Sequence, residues 1–294
     1  MNLKTITQQL QSRFSNAQHV ALWILEKITG TSSGQLLLQE LKLTELQKQE
    51  LQKALDLLIT QQYPLQYYLG TVPFGPLELL IEPPILIPRP ETETWVANVI
   101  EQLKPFKDKK LTLLDLCSGS GCIGLWIAHQ FPNFIVHSAD INPQAIVLGN
   151  KNKELLKLQN ITFFKSDLFA GLPQQQKYDL ILANPPYITE AEYQDLETPV
   201  KKWESKLALT ADNNGLYFYE QISKQAPNYF NQNKKYNLPH LILEIGYQQG
   251  YAVTELLKNN GYQKYKVTKD YAEKDRVVTA YYPFQLVLRN TTST

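Results

Sequence analysis

Leu111-Thr112-Leu113-Leu114-Asp115-Leu116-Cys117-Ser118-Gly119-Ser120-Gly121 passes from an apolar run into a glycine-rich turn. The run 111–116 has the length and composition of a buried strand. Glycine is scarce in this chain, with 13 in 294 residues, yet Gly119, Gly121 and Gly124 fall together just after that run. Such a turn lets backbone approach a ligand closely at the N-terminus of the next helix. Outward from it, strands are expected at 111–116, 134–139, 161–165 and 178–183, with helices at 121–130 and 143–158. A long loop follows, then a helix near 215–230, a strand at 241–245, a helix at 251–259 and final strands near 264–268 and 276–282. Alternation of this kind predicts a parallel, doubly wound sheet, and the closing strand pair adds an antiparallel edge.

About twenty residues beyond the turn, the second strand ends in Asp140, placed to accept hydrogen bonds from a ribose diol. Gly119-x-Gly121-x-x-Gly124 formally matches the dinucleotide fingerprint. The acid four residues before Gly119, Asp115, points instead to the loop that holds S-adenosylmethionine (AdoMet), where that acid faces the methionine end. A tight strand-to-helix turn without any ligand explains neither acid.

The fourth strand ends in Asn184-Pro185-Pro186-Tyr187. Two prolines fix φ and remove two N–H donors, so the turn is stiff and its carbonyl oxygens are unopposed. Asn184 adds a side-chain carbonyl and Tyr187 a flat face. Together they suit a planar –NH2 group, both N–H bonds accepted and the plane stacked. In open parallel sheets ligands bind beyond the carboxyl ends of strands, where this turn lies.

Residues 1–60 read as helical, with apolar residues at helical spacing over 3–14, 20–28 and 46–59. Ser15-x-x-Gln18 and Thr44-x-x-Gln47 have capping-box form. Residues 71–88 alternate as short strands rich in Pro and Gly, a hairpin. A helix starts after Pro90, with Glu91 and Glu93 in its first turn, where carboxylates favour the dipole. Net charge is +1 and 43% of residues are hydrophobic, with no apolar run long enough to span a bilayer. Nothing in this balance announces nucleic acid or a membrane surface. Cys117 and Cys122 share one turn, which excludes a disulfide framework or a four-cysteine zinc site, and the four histidines are scattered. No metal is expected. The first acidic residue is Glu26, a faint likeness to an organellar transit peptide, but only Lys4 and Arg13 precede it. The cytoplasm is expected, with the mitochondrial matrix as the alternative.

In these segments the chain resembles the glutamine-N5 methyltransferases that modify peptide-chain release factors, the HemK family. Ile87-Pro88-Arg89-Pro90-Glu91-Thr92-Glu93, the 115–121 loop, Ser166-Asp167-Leu168-Phe169, Asn184-Pro185-Pro186-Tyr187, Leu243-Glu244-Ile245-Gly246 and Asp275-Arg276-Val277-Val278 match its pattern in order and at similar spacing. Three departures concern loops. Ser205 replaces a proline after Glu204, the stretch 210–214 lacks a glycine pair, and 231–239 replaces a Pro-Gly-Gly turn. The resemblance implies a class I AdoMet-dependent methyltransferase: a Rossmann-like, seven-stranded, mostly parallel sheet over 91–294, a helical substrate-recognition domain over 1–60, and a β-hairpin linker over 61–90.

By the same resemblance, Asp115, Cys117, Ser118, Gly119, Ser120 and Gly121 hold the methionine part of AdoMet, Asp140 its ribose, and Asp167 and Leu168 lie beside adenine. Asn184, Pro185, Pro186 and Tyr187 hold the acceptor glutamine, with Arg89, Glu91 and Thr92 lining the pocket. The implied reaction methylates the Gly-Gly-Gln loop glutamine of a class-I release factor, leaves S-adenosylhomocysteine, and is carried out by a monomer without direct nucleic-acid contact. The competing readings are a methyltransferase acting on an exocyclic amine of DNA or RNA, which uses the same clamp, and a non-catalytic AdoMet-binding adaptor.

Overall fold

The computed structural model describes residues 2–38, 40–232 and 236–283. The chain begins with helices α1 (Leu3–Leu10), α2 (Ala17–Thr29), α3 (Ser33–Leu38), α4 (Glu45–Leu55) and α5 (Leu65–Leu69). Ile6, Leu10, Val20, Ile24, Leu51 and Leu58 close a separate core among them. Thr44 and Gln47 form the expected capping box at α4. The box at Ser15 does not form: the buried stripe of Ala17, Val20, Ala21 and Ile24 starts α2 at Ala17, which makes Asn16 the cap residue, without a side-chain bond.

Strands β1 (Thr71–Phe74) and β2 (Leu77–Leu80) make the hairpin. It stops at Leu80, short of the expected 88, because Pro83, Pro84 and Pro88 supply no ladder donors. The Asn152 side chain bonds both the N–H and the carbonyl of Leu80, at 2.7 and 3.1 Å, fastening the hairpin to the body.

Helix α6 (Pro90–Leu103) leads into the main sheet, built of β3 (Thr112–Leu116), β4 (Ile135–Asp140), β5 (Ile161–Lys165), β6 (Leu180–Ala183), β7 (Leu241–Glu244), β8 (Lys264–Lys269) and β9 (Asp275–Tyr281). Their order is β5-β4-β3-β6-β7-β9-β8, parallel through β7 and antiparallel at β9 and β8. Connecting helices are α7 (Cys122–Gln130), α8 (Pro143–Leu155), α9 (Glu190–Asp195), α10 (Thr198–Trp203), the short turn α11 (Asp212–Gly215), α12 (Tyr217–Gln225) and α13 (Gly250–Asn259). Strand side chains alternate between two cores. Leu113, Leu180, Leu182 and Ile242 pack with Val96, Ile100, Ile123 and Ile127 of α6 and α7. Leu114, Ile181, Leu241 and Leu243 pack with Tyr219, Ile222, Val253 and Leu257 of α12 and α13.

The chain leaves β3 toward one edge of the sheet and, from β6, builds toward the other, so the switch point falls between them. Leu116 pairs with Ala183 there. The glycine-rich turn and Asn184 therefore emerge side by side, where open α/β sheets bind ligands. No helix among the described residues is long and apolar enough to cross a membrane.

Candidate active site

A cavity of about 260 Å3 opens at this switch point. Cys117, Gly119, Asp140, Asp167, Leu168, Asn184 and Pro186 all line it, bringing together residues from the ends of four strands. Further lining comes from residues to which the sequence assigns no role there. Ser205 N–H donates to the Pro84 carbonyl at 2.8 Å, and both residues line the cavity, as do Leu207, Tyr217 and Phe218. A proline at 205 could not make that bond.

The loop takes its shape from left-handed backbone at Cys117, Gly119 and Gly121, with φ of 59°, 54° and 81°. Asp140 braces it, accepting from Gly119 N–H and from Asn142 N–H, each at 2.8 Å. Asp115 lies underneath, fully buried, and does not line the cavity. Its Oδ2 accepts from Gly124 N–H at 3.0 Å and from the Ser138 hydroxyl at 3.3 Å. Burial pushes its carboxyl up to about 7. Burial also raises Asp140, against the pull of its backbone donors. Asp115 Oδ1 and Ser118 Oγ are buried without a hydrogen-bond partner. The cavity itself sets Asp140 and Asp167 beside the apolar Leu116, Ile141, Ala145 and Leu168, a lining that fits a ligand carrying both polar and aromatic parts, as AdoMet does.

Both cysteines are held as thiols. Burial and the nearby Asp140 raise Cys117, and burial pushes Cys122 up to about 12. Neither serves as a nucleophile.

Asn184 stands at the end of β6, with its Nδ2 3.3 Å from Thr92 Oγ1. Thr92 in turn donates to Glu244 Oε2 at 2.6 Å, the same oxygen that accepts the Trp95 indole N–H at 2.7 Å. Burial raises the Glu244 carboxyl, and these two donors oppose the rise. Glu244 sits in a segment that carries the family likeness, but no role was expected of it. An acid ending an otherwise apolar strand was the available signal, since a buried carboxyl needs partners.

Tyr187 lies just beyond the cavity lining. Its backbone N–H donates to the Leu209 carbonyl at 3.2 Å, and Gln249 Nε2 donates to its carbonyl at 3.1 Å. Burial pushes its phenol up to about 12, so it stays protonated. Arg89 and Glu91 do not line this cavity. Arg89 pairs with Glu204 in a second groove, between the helical domain and the sheet domain, and Glu91 accepts from the Tyr271 hydroxyl at 3.3 Å. Among the described residues no group of His, Cys, Asp and Glu is arranged to hold a metal ion.

Comparison with known proteins adds to this geometry. The family model described as Methyltransferase small domain matches residues 97–201, and that of the PrmC N-terminal domain matches residues 2–70. The chain is 34% identical over 284 residues to a release factor glutamine methyltransferase of Vibrio cholerae, covering 95% of each chain. It is 37% identical over 239 residues to one of Fusobacterium nucleatum, covering 81% of this chain and 66% of that relative. Among solved structures, the T. thermophilus 16S rRNA N2 methyltransferase RsmC, in complex with AdoMet and guanosine, superposes with a TM-score of 0.51 at 15% identity. That match covers 72% of this chain and 50% of the other, and it is a likeness of fold alone.

Proposed function

Because the chain belongs to the release factor glutamine methyltransferase family, we propose that it methylates the side-chain amide nitrogen of the Gly-Gly-Gln loop glutamine in class-I release factors. The observation that carries this reading is the Asn184 amide, whose N–H is taken by Thr92 at the edge of the cofactor cavity, leaving Oδ1 to accept. Bound AdoMet supplies an electrophilic sulfonium methyl. Ser118, Gly119, Ser120 and Gly121, with Asp115 beneath them and Cys117 beside them, would hold its methionine part. Asp140 would hold the ribose, and Asp167 and Leu168 the adenine.

A glutamine amide nitrogen is a poor nucleophile, because its lone pair is delocalised into the carbonyl. Asn184 Oδ1 and the Pro185 carbonyl each accept one of its N–H bonds, which shifts electron density onto nitrogen and fixes the direction of the lone pair. Pro186 and Tyr187 wall the amide plane. Positioning of this kind does most of the work. The chain needs no general base, since the proton becomes acidic only after nitrogen is alkylated and then leaves to water. The helical domain and the groove at Arg89 and Glu204 receive the body of the release factor. The enzyme works as a monomer in the cytoplasm.

Radiolabelled methyl donor offered with release factor, RNA and DNA in parallel tests the substrate class. Label confined to release factor is expected. Label in either nucleic acid would replace this reading with that of an exocyclic-amine methyltransferase.

A further inference from the structure

An asparagine amide has nearly the same shape either way round, and its two orientations present opposite chemistry to a ligand. With Oδ1 toward the cavity the side chain accepts from an –NH2 group. With Nδ2 there it would face that group donor to donor. Some feature of the protein must choose.

We propose that Glu244 and Thr92 are positioning residues that fix the polarity of the Asn184 amide, and so make the site select a ligand –NH2 over a ligand carbonyl. The inference rests on the amide-clamp reading given above. Three elements meet to make it: Thr92 on α6, Asn184 at the end of β6 and Glu244 at the end of β7. Thr92 and Glu244 are both buried. Glu244 Oε2 takes two donors, the Trp95 indole at 2.7 Å and the Thr92 hydroxyl at 2.6 Å. Trp95 has one N–H and can do nothing else. Thr92 has one hydroxyl hydrogen, and it is committed to the carboxyl. Only its lone pairs remain, so whatever stands beside Thr92 Oγ1 must donate. Asn184 stands there at 3.3 Å and can donate only through Nδ2. Its Oδ1 is then turned away from Thr92 and left free to accept. Polarity passes from a buried acid to the reacting group without the acid touching the ligand.

The relay separates variants that shape alone would not. Thr92→Val has the same outline but lacks the hydroxyl, whereas Thr92→Ser keeps it. Glu244→Gln keeps one acceptor oxygen for both donors, whereas Glu244→Leu keeps none. Turnover on release factor, AdoMet affinity by calorimetry and thermal unfolding are measured for each. Thr92→Val is expected to lose about tenfold or more in kcat, the effect of one hydrogen bond on a barrier, with AdoMet affinity unchanged. Thr92→Ser restores the rate, and Glu244→Gln outperforms Glu244→Leu. Wild-type kcat in folded Thr92→Val, or equal loss in Thr92→Val and Thr92→Ser, overturns the proposal.

A second readout needs no turnover. In the 15N–1H spectrum, with the Asn184 side-chain amide identified by its loss in Asn184→Asp, one Nδ2 proton should be protected from exchange. Two unprotected protons contradict the relay. Should the wild-type protein leave release factor unmethylated, the substrate reading fails, and this spectrum still decides the relay.

Discussion

Arg89 Nη2 stands 2.6 Å from Glu204 Oε2, an ion pair that joins the residue before α6 to the residue after α10. The Glu204 side chain is 2% exposed and that of Arg89 34%, so the carboxylate depends on the pair more than the guanidinium does. Burial raises the Glu204 carboxyl and Arg89 counters it. Arg89→Met should therefore strand a buried charge, at a cost of about 1–3 kcal/mol, below that of a fully buried pair because Arg89 is partly solvated. A raised folded-state value means the native state binds the proton more readily than the unfolded chain. The loss should thus be greatest at alkaline pH and shrink as the pH falls through the folded value. Chemical denaturation of wild type and variant across pH checks this.

Asp115 gives a second linkage of the same sign. Its carboxyl rises from 3.8 to about 7 in the folded protein, so the ligand-free protein should lose stability as pH climbs through that window. Asp115→Asn can still accept from Gly124 and Ser138, and it should flatten the slope. A slope unchanged in Asp115→Asn would show that the carboxyl is ionised throughout.

Asn184→Ala removes one acceptor of the clamp and leaves the glycine-rich loop untouched. By analogy with deletion of a single oxyanion-hole donor, turnover should fall on the order of 10²–10³, with AdoMet affinity little changed. Single-turnover kinetics beside calorimetry separate the two.

Asp140→Ala should weaken AdoMet binding by about 1.5–3 kcal/mol, the worth of a hydrogen bond to a charged group. Because Asp140 also holds Gly119 N–H, the loop should loosen, and hydrogen exchange at residues 117–121 should rise even without ligand. Unchanged AdoMet affinity in the folded variant would refute the ribose assignment.

The sheet and its glycine-rich turn were legible because their signals are local: apolar runs of strand length, clustered glycines and acids at strand ends. Helices α3, α9 and α10 were not, and none of the three buries a residue. Without an apolar stripe no periodicity marks them. The missing glycine pair has a physical answer. Asn213 and Asn214 take left-handed backbone, with φ of 54° and 53°, which asparagine tolerates better than most residues. At Gly215 any side chain would run into the Tyr187 carbonyl, so there glycine is retained. The replacement of the Pro-Gly-Gly turn over 231–239 falls partly outside the described residues. The bonds of Glu244 could not be read from the sequence because Thr92 and Trp95 are 152 and 149 positions away, and no sequence window contains such a contact.

That the Asn184 turn presents a glutamine amide for methylation is open to direct measurement. Its most direct test is peptide mass spectrometry of an intact class-I release factor incubated with this protein and AdoMet. One added methyl group on the glutamine of the Gly-Gly-Gln peptide, absent when Asn184→Ala replaces the wild type, is the expected result. A release factor left unmodified by the folded, AdoMet-binding protein, or methylated at any other residue, would contradict the account.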